Sequence, residues 1–113
     1  MDSPAPEAKL PPSVALTFVV VRRERVVRTA TLSDPIIKVG TDPRSQLALD
    51  DVAASRMHAV IEVTGPEATL IDLGSEIGTW VNGARVNRCK LREGDEVRIG
   101  TTLLRVDKVV ATE

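Results

Sequence analysis

The 113-residue chain reads as all-β, an antiparallel sandwich or barrel of about ten short strands. Three observations lead there. Short runs of Val, Ile, Leu and Thr recur along the chain, each bounded by Gly, Pro, Asp or Asn. Asn82-Gly83 separates TWV from ARV, and this dipeptide is the commonest two-residue hairpin turn because both residues tolerate positive φ. No stretch of about ten residues repeats its apolar positions at the helical period of about 3.6.

The elements follow in order. Residues 1–13, MDSPAPEAKLPPS, are rich in Pro, Ala and acidic groups. They hold too little apolar surface to fold and read as a flexible tail, without the hydrophobic region of a secretory leader. A domain is expected over 14–110, with a polar end at 111–113. Val14 to Val21 is β-branched and aromatic. RRER turns it into VVRTATL, so Arg22, Arg23, Arg25 and Arg28 crowd one hairpin. IIKVG, LAL, HAVIEVT and ATLIDL come next, with a turn at Gly65-Pro66. DDVAASRM offers one helical turn at most. After TWVNGARV come CKL, the turn REGDE, EVRIG and TLLRVDKVV. In EVRIG, Val97 and Ile99 alternate with Glu96 and Arg98, as on a half-buried strand. No internal repeat is visible.

Composition narrows the function. Hydrophobic residues make up 42% and charged residues 27%, which suits a folded soluble domain. Phe18 and Trp80 are the only aromatics, so the core must be aliphatic. A net charge of -1 leaves no surplus of cations to neutralise phosphates, and the missing aromatics remove the stacking platforms of single-strand binders. Nucleic acid is therefore not an expected partner, and the arginine hairpin reads as a solvated face. Cys89 stands alone, which fits a reducing, cytoplasmic setting. No apolar run approaches the roughly 20 residues that span a bilayer.

Catalysis finds little support. His58 is the sole histidine, and Ser55 three positions earlier does not by itself supply triad geometry. A ring opening the strand run HAVIEV reads as a brace for the preceding loop. One His and one distant Cys match no zinc spacing, and Asp42, Asp50 and Asp51 read as turn formers that bond nearby backbone N–H groups. Neither enzyme, metal nor cofactor is expected. Two loops do suit a phosphate ester. VGTDPRS offers the hydroxyls of Thr41 and Ser45 and the guanidinium of Arg44; AASRMH adds Ser55 and Arg56. Hydroxyls and N–H groups bond phosphate oxygens, and arginine adds charge-assisted, often bidentate bonds.

From Ile36 to Val106 the order of these pieces resembles a forkhead-associated (FHA) domain. The matching pieces are Gly40, Ser55-Arg56-x-His58, Asp72-Leu73-Gly74-Ser75, Gly78-Thr79, Asn82-Gly83 and Gly94-Asp95. The resemblance implies a β-sandwich of about eleven strands whose loops at one end bind a phosphothreonine peptide. By that likeness Ser55 donates to the phosphate and Arg56 adds charge. His58 braces the binding loops, supported by Gly40 and Gly78, and Asn82-Gly83 holds neighbouring loops in place. Such domains work as parts of larger proteins, and a partner would be a phosphothreonine protein such as a Ser/Thr kinase substrate.

Two positions depart from the family. Members carry arginine directly after the glycine at Gly40, where it grips the phosphate; Thr41 stands here. A hydroxyl brings no charge, and a charged hydrogen bond is worth about 1.5–3 kcal/mol. Arg44 is the candidate substitute. Members also read Gly-Ser-Thr-Asn-Gly-Thr, with the asparagine on the peptide main chain; this chain reads Gly74-Ser75-Glu76-Ile77-Gly78-Thr79. Glu76 and Ile77 thus sit at a peptide-reading tip with the wrong chemistry for it. A phosphate-independent adaptor, docking a folded partner through this tip or a sheet face, is the alternative.

Overall fold

The structure, a computed structural model, describes residues 13–112. The expected tail falls outside the described residues except for Ser13, as does Glu113. The strands are β1 (Val14–Arg22), β2 (Arg25–Leu32), β3 (Ile36–Gly40), β4 (Leu47–Ala48), β5 (Ala59–Thr64) and β6 (Glu67–Asp72). They continue with β7 (Thr79–Val81), β8 (Ala84–Val86), β9 (Arg88–Leu91), β10 (Glu96–Ile99) and β11 (Thr102–Ala111). β11 therefore reaches Ala111, and the Thr112 N–H donates to the Ser13 carbonyl. DDVAASRM forms turns, and the described residues contain no helix, so none that could cross a membrane.

Two sheets face each other. One runs β2-β1-β11-β10-β7-β8 and the other β4-β3-β5-β6-β9. Pairing is antiparallel except between β3 and β4, which run parallel with Val39 opposite Leu47. A parallel return usually takes a crossover of roughly a dozen residues or more. Thr41–Gln46 suffices here because β4 adds only two residues to the ladder.

Alternation builds the core, as period two requires. Leu16, Phe18 and Val20 of β1 point inward with Leu104 and Val106 of β11. Ile37, Val39, Ile61 and Leu70 meet them from the other sheet. Asn82 and Gly83 adopt φ of 51° and 87°, the pair of left-handed residues that a type I′ hairpin needs. Arg23 and Glu24 close the first hairpin in the same way, at 51° and 64°, without glycine. Trp80 lies half-buried with the Arg98 guanidinium 5.3 Å from its ring centre, a cation–π contact.

Candidate functional site

The site grows from a close approach. β3 ends at Gly40, and a Cβ there would meet the Arg56 carbonyl oxygen at 2.1 Å. Only glycine lets the β4–β5 loop (Leu49–His58) lie directly on the end of β3. Three backbone bonds then fasten it: His58 N–H to the Val39 carbonyl (2.9 Å), Thr41 N–H to the Ser55 carbonyl (3.1 Å) and Asp42 N–H to the Arg56 carbonyl (3.2 Å). Thr41 and Asp42 are thereby set beside Ser55 and Arg56, although these pairs are well apart in sequence.

Asp42 is the hub. Its Oδ1 accepts from the Arg44 backbone N–H (2.9 Å) and Nε (3.2 Å), and its Oδ2 from the Arg44 terminal nitrogen (2.9 Å) and Arg56 Nε (3.3 Å). The Arg44 guanidinium, helped by Arg56, holds the Asp42 carboxyl well below the usual carboxylate range. Both arginine side chains nevertheless face water, at 81% and 72% exposure. Arg44 and Arg56, singled out from sequence, are thus brought together by a residue that sequence placed only as a turn former, while Thr41 and Ser55 are joined by their backbone bond. That role is real, since Asp42 does bond the backbone of Arg44, but no local signal showed its reach to Arg56. Two guanidiniums share one carboxylate, leaving one net positive charge at an exposed position.

His58 ties this cluster to the β6–β7 loop (Leu73–Gly78). Its ring is fully buried. Nδ1 accepts from the Ser55 N–H and Nε2 donates to the Gly78 carbonyl, both at 3.0 Å, so the two bonds select the Nε2–H tautomer. The loop itself winds around Asp72. That carboxylate accepts from the Gly74 and Ser75 N–H groups (2.9 Å each), the Ser75 hydroxyl (2.5 Å) and the Thr79 hydroxyl (2.7 Å). Burial pushes the Asp72 carboxyl up, but these donors outweigh it and hold the group below its ordinary range.

The tip of that loop is engaged within the domain. Ile77 is half-buried and packs on the hydrophobic core, and its carbonyl accepts from Trp80 Nε1 at 3.3 Å. The Glu76 carbonyl accepts from Arg85 at 3.4 Å. Arg85 also crosses Gly78, where a Cβ would come within 2.6 Å of its Nε. The expected apolar tip is therefore partly absorbed by its own hairpin. Asn82 bonds elsewhere: its Oδ1 accepts from the Glu96 N–H and its Nδ2 donates to Asp95, both at 3.0 Å. Among the described residues these bonds secure the turn before β10, and none goes to the three loops of the site.

A family model for the FHA domain matches residues 37–100. The glycogen accumulation regulator GarA of Mycolicibacterium smegmatis is 39% identical over 89 residues, covering 79% of this chain and 56% of that protein. The chain thus spans little more than half the length of this relative. Among solved structures, the FHA domain of FhaA, complexed with the intracellular domain of another protein, superposes with a TM-score of 0.71. It shares 33% identity and covers 82% of this chain and 98% of its own. A second, from work on phosphothreonine-dependent FHA domain interactions, gives 0.71 at 32% identity over 89% of this chain and 98% of its own.

Proposed function

The chain belongs to the FHA domain family, and on that premise we propose that it is an interaction module that binds phosphothreonine segments of partner proteins. The observation that carries this reading is the exposed pair Arg44 and Arg56, fastened beside Thr41 and Ser55 by Gly40, Asp42 and His58. Arg56 offers the phosphate a charge-assisted bond, and Ser55 and Thr41 offer hydroxyls. Arg44 supplies the second cation that the family's arginine would provide at position 41. Phosphothreonine-dependent interaction is described for an FHA structure similar to this one, which supports the same use here.

The partner is a phosphorylated protein, such as a substrate of a Ser/Thr kinase, and the chain acts by docking rather than by catalysis. Similarity to the regulator GarA supports a regulatory role. The lone Cys89 fits a reducing, cytoplasmic setting. A phosphate-independent adaptor would use Glu76 and Ile77, and it has less support because both carbonyls and the Ile77 side chain are engaged within the domain.

Titration of a degenerate phosphothreonine peptide library, in parallel with Ser55→Ala, tests the reading. Losing one hydrogen bond to a charged group should weaken binding by about 10- to 100-fold. Unchanged affinity in Ser55→Ala would overturn the assignment of Ser55 to the phosphate.

A further inference from the structure

The β1–β2 hairpin gathers Arg22, Arg23, Arg25 and Arg28 beside the carboxylates of Glu24 and Asp50. β2 ends one sheet and β4 ends the other, and a groove of about 340 Å³ runs between these edges. Val20, Val27, Ala48 and Leu49 give it apolar walls, and Arg22 and Arg28 line it with them. Val20 pairs with Arg28 and Val21 with Val26, so Val27 is the extra residue of a β-bulge. Bulges re-aim side chains, and here Val27, 55% exposed, and Arg28 both line the same groove. On the opposite wall, Asp51 accepts from Thr102, which lies opposite Arg22 in the β1–β11 pairing, so Leu49 and Asp50 stay beside β1. Arg22 Nε is buried and has no hydrogen-bond acceptor among the described residues. An unpaired buried donor is costly, and a carboxylate satisfies a guanidinium well. The present partner of that guanidinium, Asp50, is 98% exposed at 3.3 Å, a surface pair of little worth that an incoming carboxylate can replace.

We propose that the groove and its hairpin bind an acidic segment of a partner protein, with one glutamate laying its methylenes along Val27 and Leu49 and its carboxylate on Arg22. The cations do not stop at the groove. A second hollow, lined by Arg22, Arg23, Arg25 and Val27, shares Arg22 and Val27 with the first. Positive charge is therefore offered across two adjoining hollows, which suits a run of acidic residues better than a single small acid. The bulge and the arginines disfavour addition of a strand at β2, so recognition is by side chains. Thr41, Arg44, Ser55 and Arg56 line neither hollow, and the assignment does not depend on the phosphothreonine reading.

The test titrates the whole chain with a short unphosphorylated peptide of alternating glutamate and alanine, followed by amide NMR shifts and calorimetry. Glutamine in place of glutamate gives the charge control, free glutarate the small-acid control and a short DNA duplex the nucleic-acid control. The glutamate peptide should shift the signals of Val20, Arg22, Val27, Arg28 and Leu49 saturably and bind about tenfold tighter than the glutamine peptide. Arg22→Lys keeps the charge but removes the Nε donor, and should weaken binding by about tenfold. Val27→Ser leaves net charge unchanged and should weaken it by about threefold. Arg88→Gln, on the edge strand β9, should leave it as it was. The amide spectra report that each variant is folded. Equal losses in Arg88→Gln and Arg22→Lys, or shifts spread over every exposed arginine, overturn the site in favour of unspecific charge attraction. Glutarate or the duplex binding at the same residues as tightly as the peptide overturns the acidic-segment assignment. Phosphothreonine binding at Ser55 and Arg56 is measured separately with the phosphorylated library, so the two readings fail independently.

Discussion

Asp42 sets the charge that an anion meets at the loop end. Held low by Arg44 and Arg56, its carboxyl stays ionised throughout the physiological range and cancels one of the two guanidiniums. On the proposed reading, a phosphate approaching Arg56 would share that arginine with Asp42. Asp42→Asn keeps an oxygen for the Arg44 backbone N–H but removes the charge. We expect it to tighten phosphothreonine peptide binding by about three- to tenfold at low salt, an effect that shrinks as salt rises. Calorimetry at two ionic strengths checks this; weaker binding would mean that the carboxylate's positioning of Arg44 and Arg56 outweighs its competition with the phosphate. The grouping Ser55-Arg56-x-His58 was legible in the sequence because it is one short local pattern. Asp42 was not, because its role depends on two loops meeting at Gly40, and that contact is long-range.

At the scale of elements, two buried carboxylates clamp the loops that frame the site. Asp51, in the β4–β5 loop, accepts from the Ala53 N–H, the Thr101 N–H and hydroxyl, and the Thr102 hydroxyl at the start of β11. Asp72 winds the β6–β7 loop. For each, burial pushes the carboxyl up and the hydrogen bonds more than reverse it, so the folded pKa lies below the unfolded one. The stabilisation is then fully present above the unfolded value, about 3.9, and is lost as pH falls through the folded value. Urea midpoints followed by Trp80 fluorescence should change little through these groups between about pH 8 and 5 and fall below about pH 4. In Asp51→Asn the acid-dependent loss should be smaller; an identical acid profile would mean that Asp51 is not a clamp. The strands themselves were readable from alternation and turn residues, down to the type I′ hairpin at Asn82-Gly83. The parallel β3–β4 pair was not, since two residues carry no period. Nor was the packing of Ile77, because the apolar face it joins is assembled by distant strands.

Over the whole molecule, the sandwich provides the rigid frame on which three loops are held at one end. Its open side is guarded by charge. Arg22, the last residue of β1, reaches Asp50 in the β4–β5 loop at 3.3 Å, and Arg28 of the edge strand β2 reaches the Gln46 carbonyl just before β4 at 3.1 Å. Charged side chains directed across an edge in this way discourage pairing with another chain. The basic hairpin that the sequence presented as a solvated face is thus in part a tie between sheets. Net charge is -1, so the local positive charge at the loop end stands out against a near-neutral whole. Fold class was legible because composition and period act along the chain; the convergence of Thr41, Arg44, Ser55 and Arg56 needed the three-dimensional path. That convergence is most directly tested by amide NMR shifts during titration with one peptide in phosphorylated and unphosphorylated form. The account predicts that only the phosphorylated peptide moves the signals of Thr41, Asp42, Ser55 and Arg56. Equal shifts from both forms, or shifts confined to Glu76 and Ile77, would contradict it.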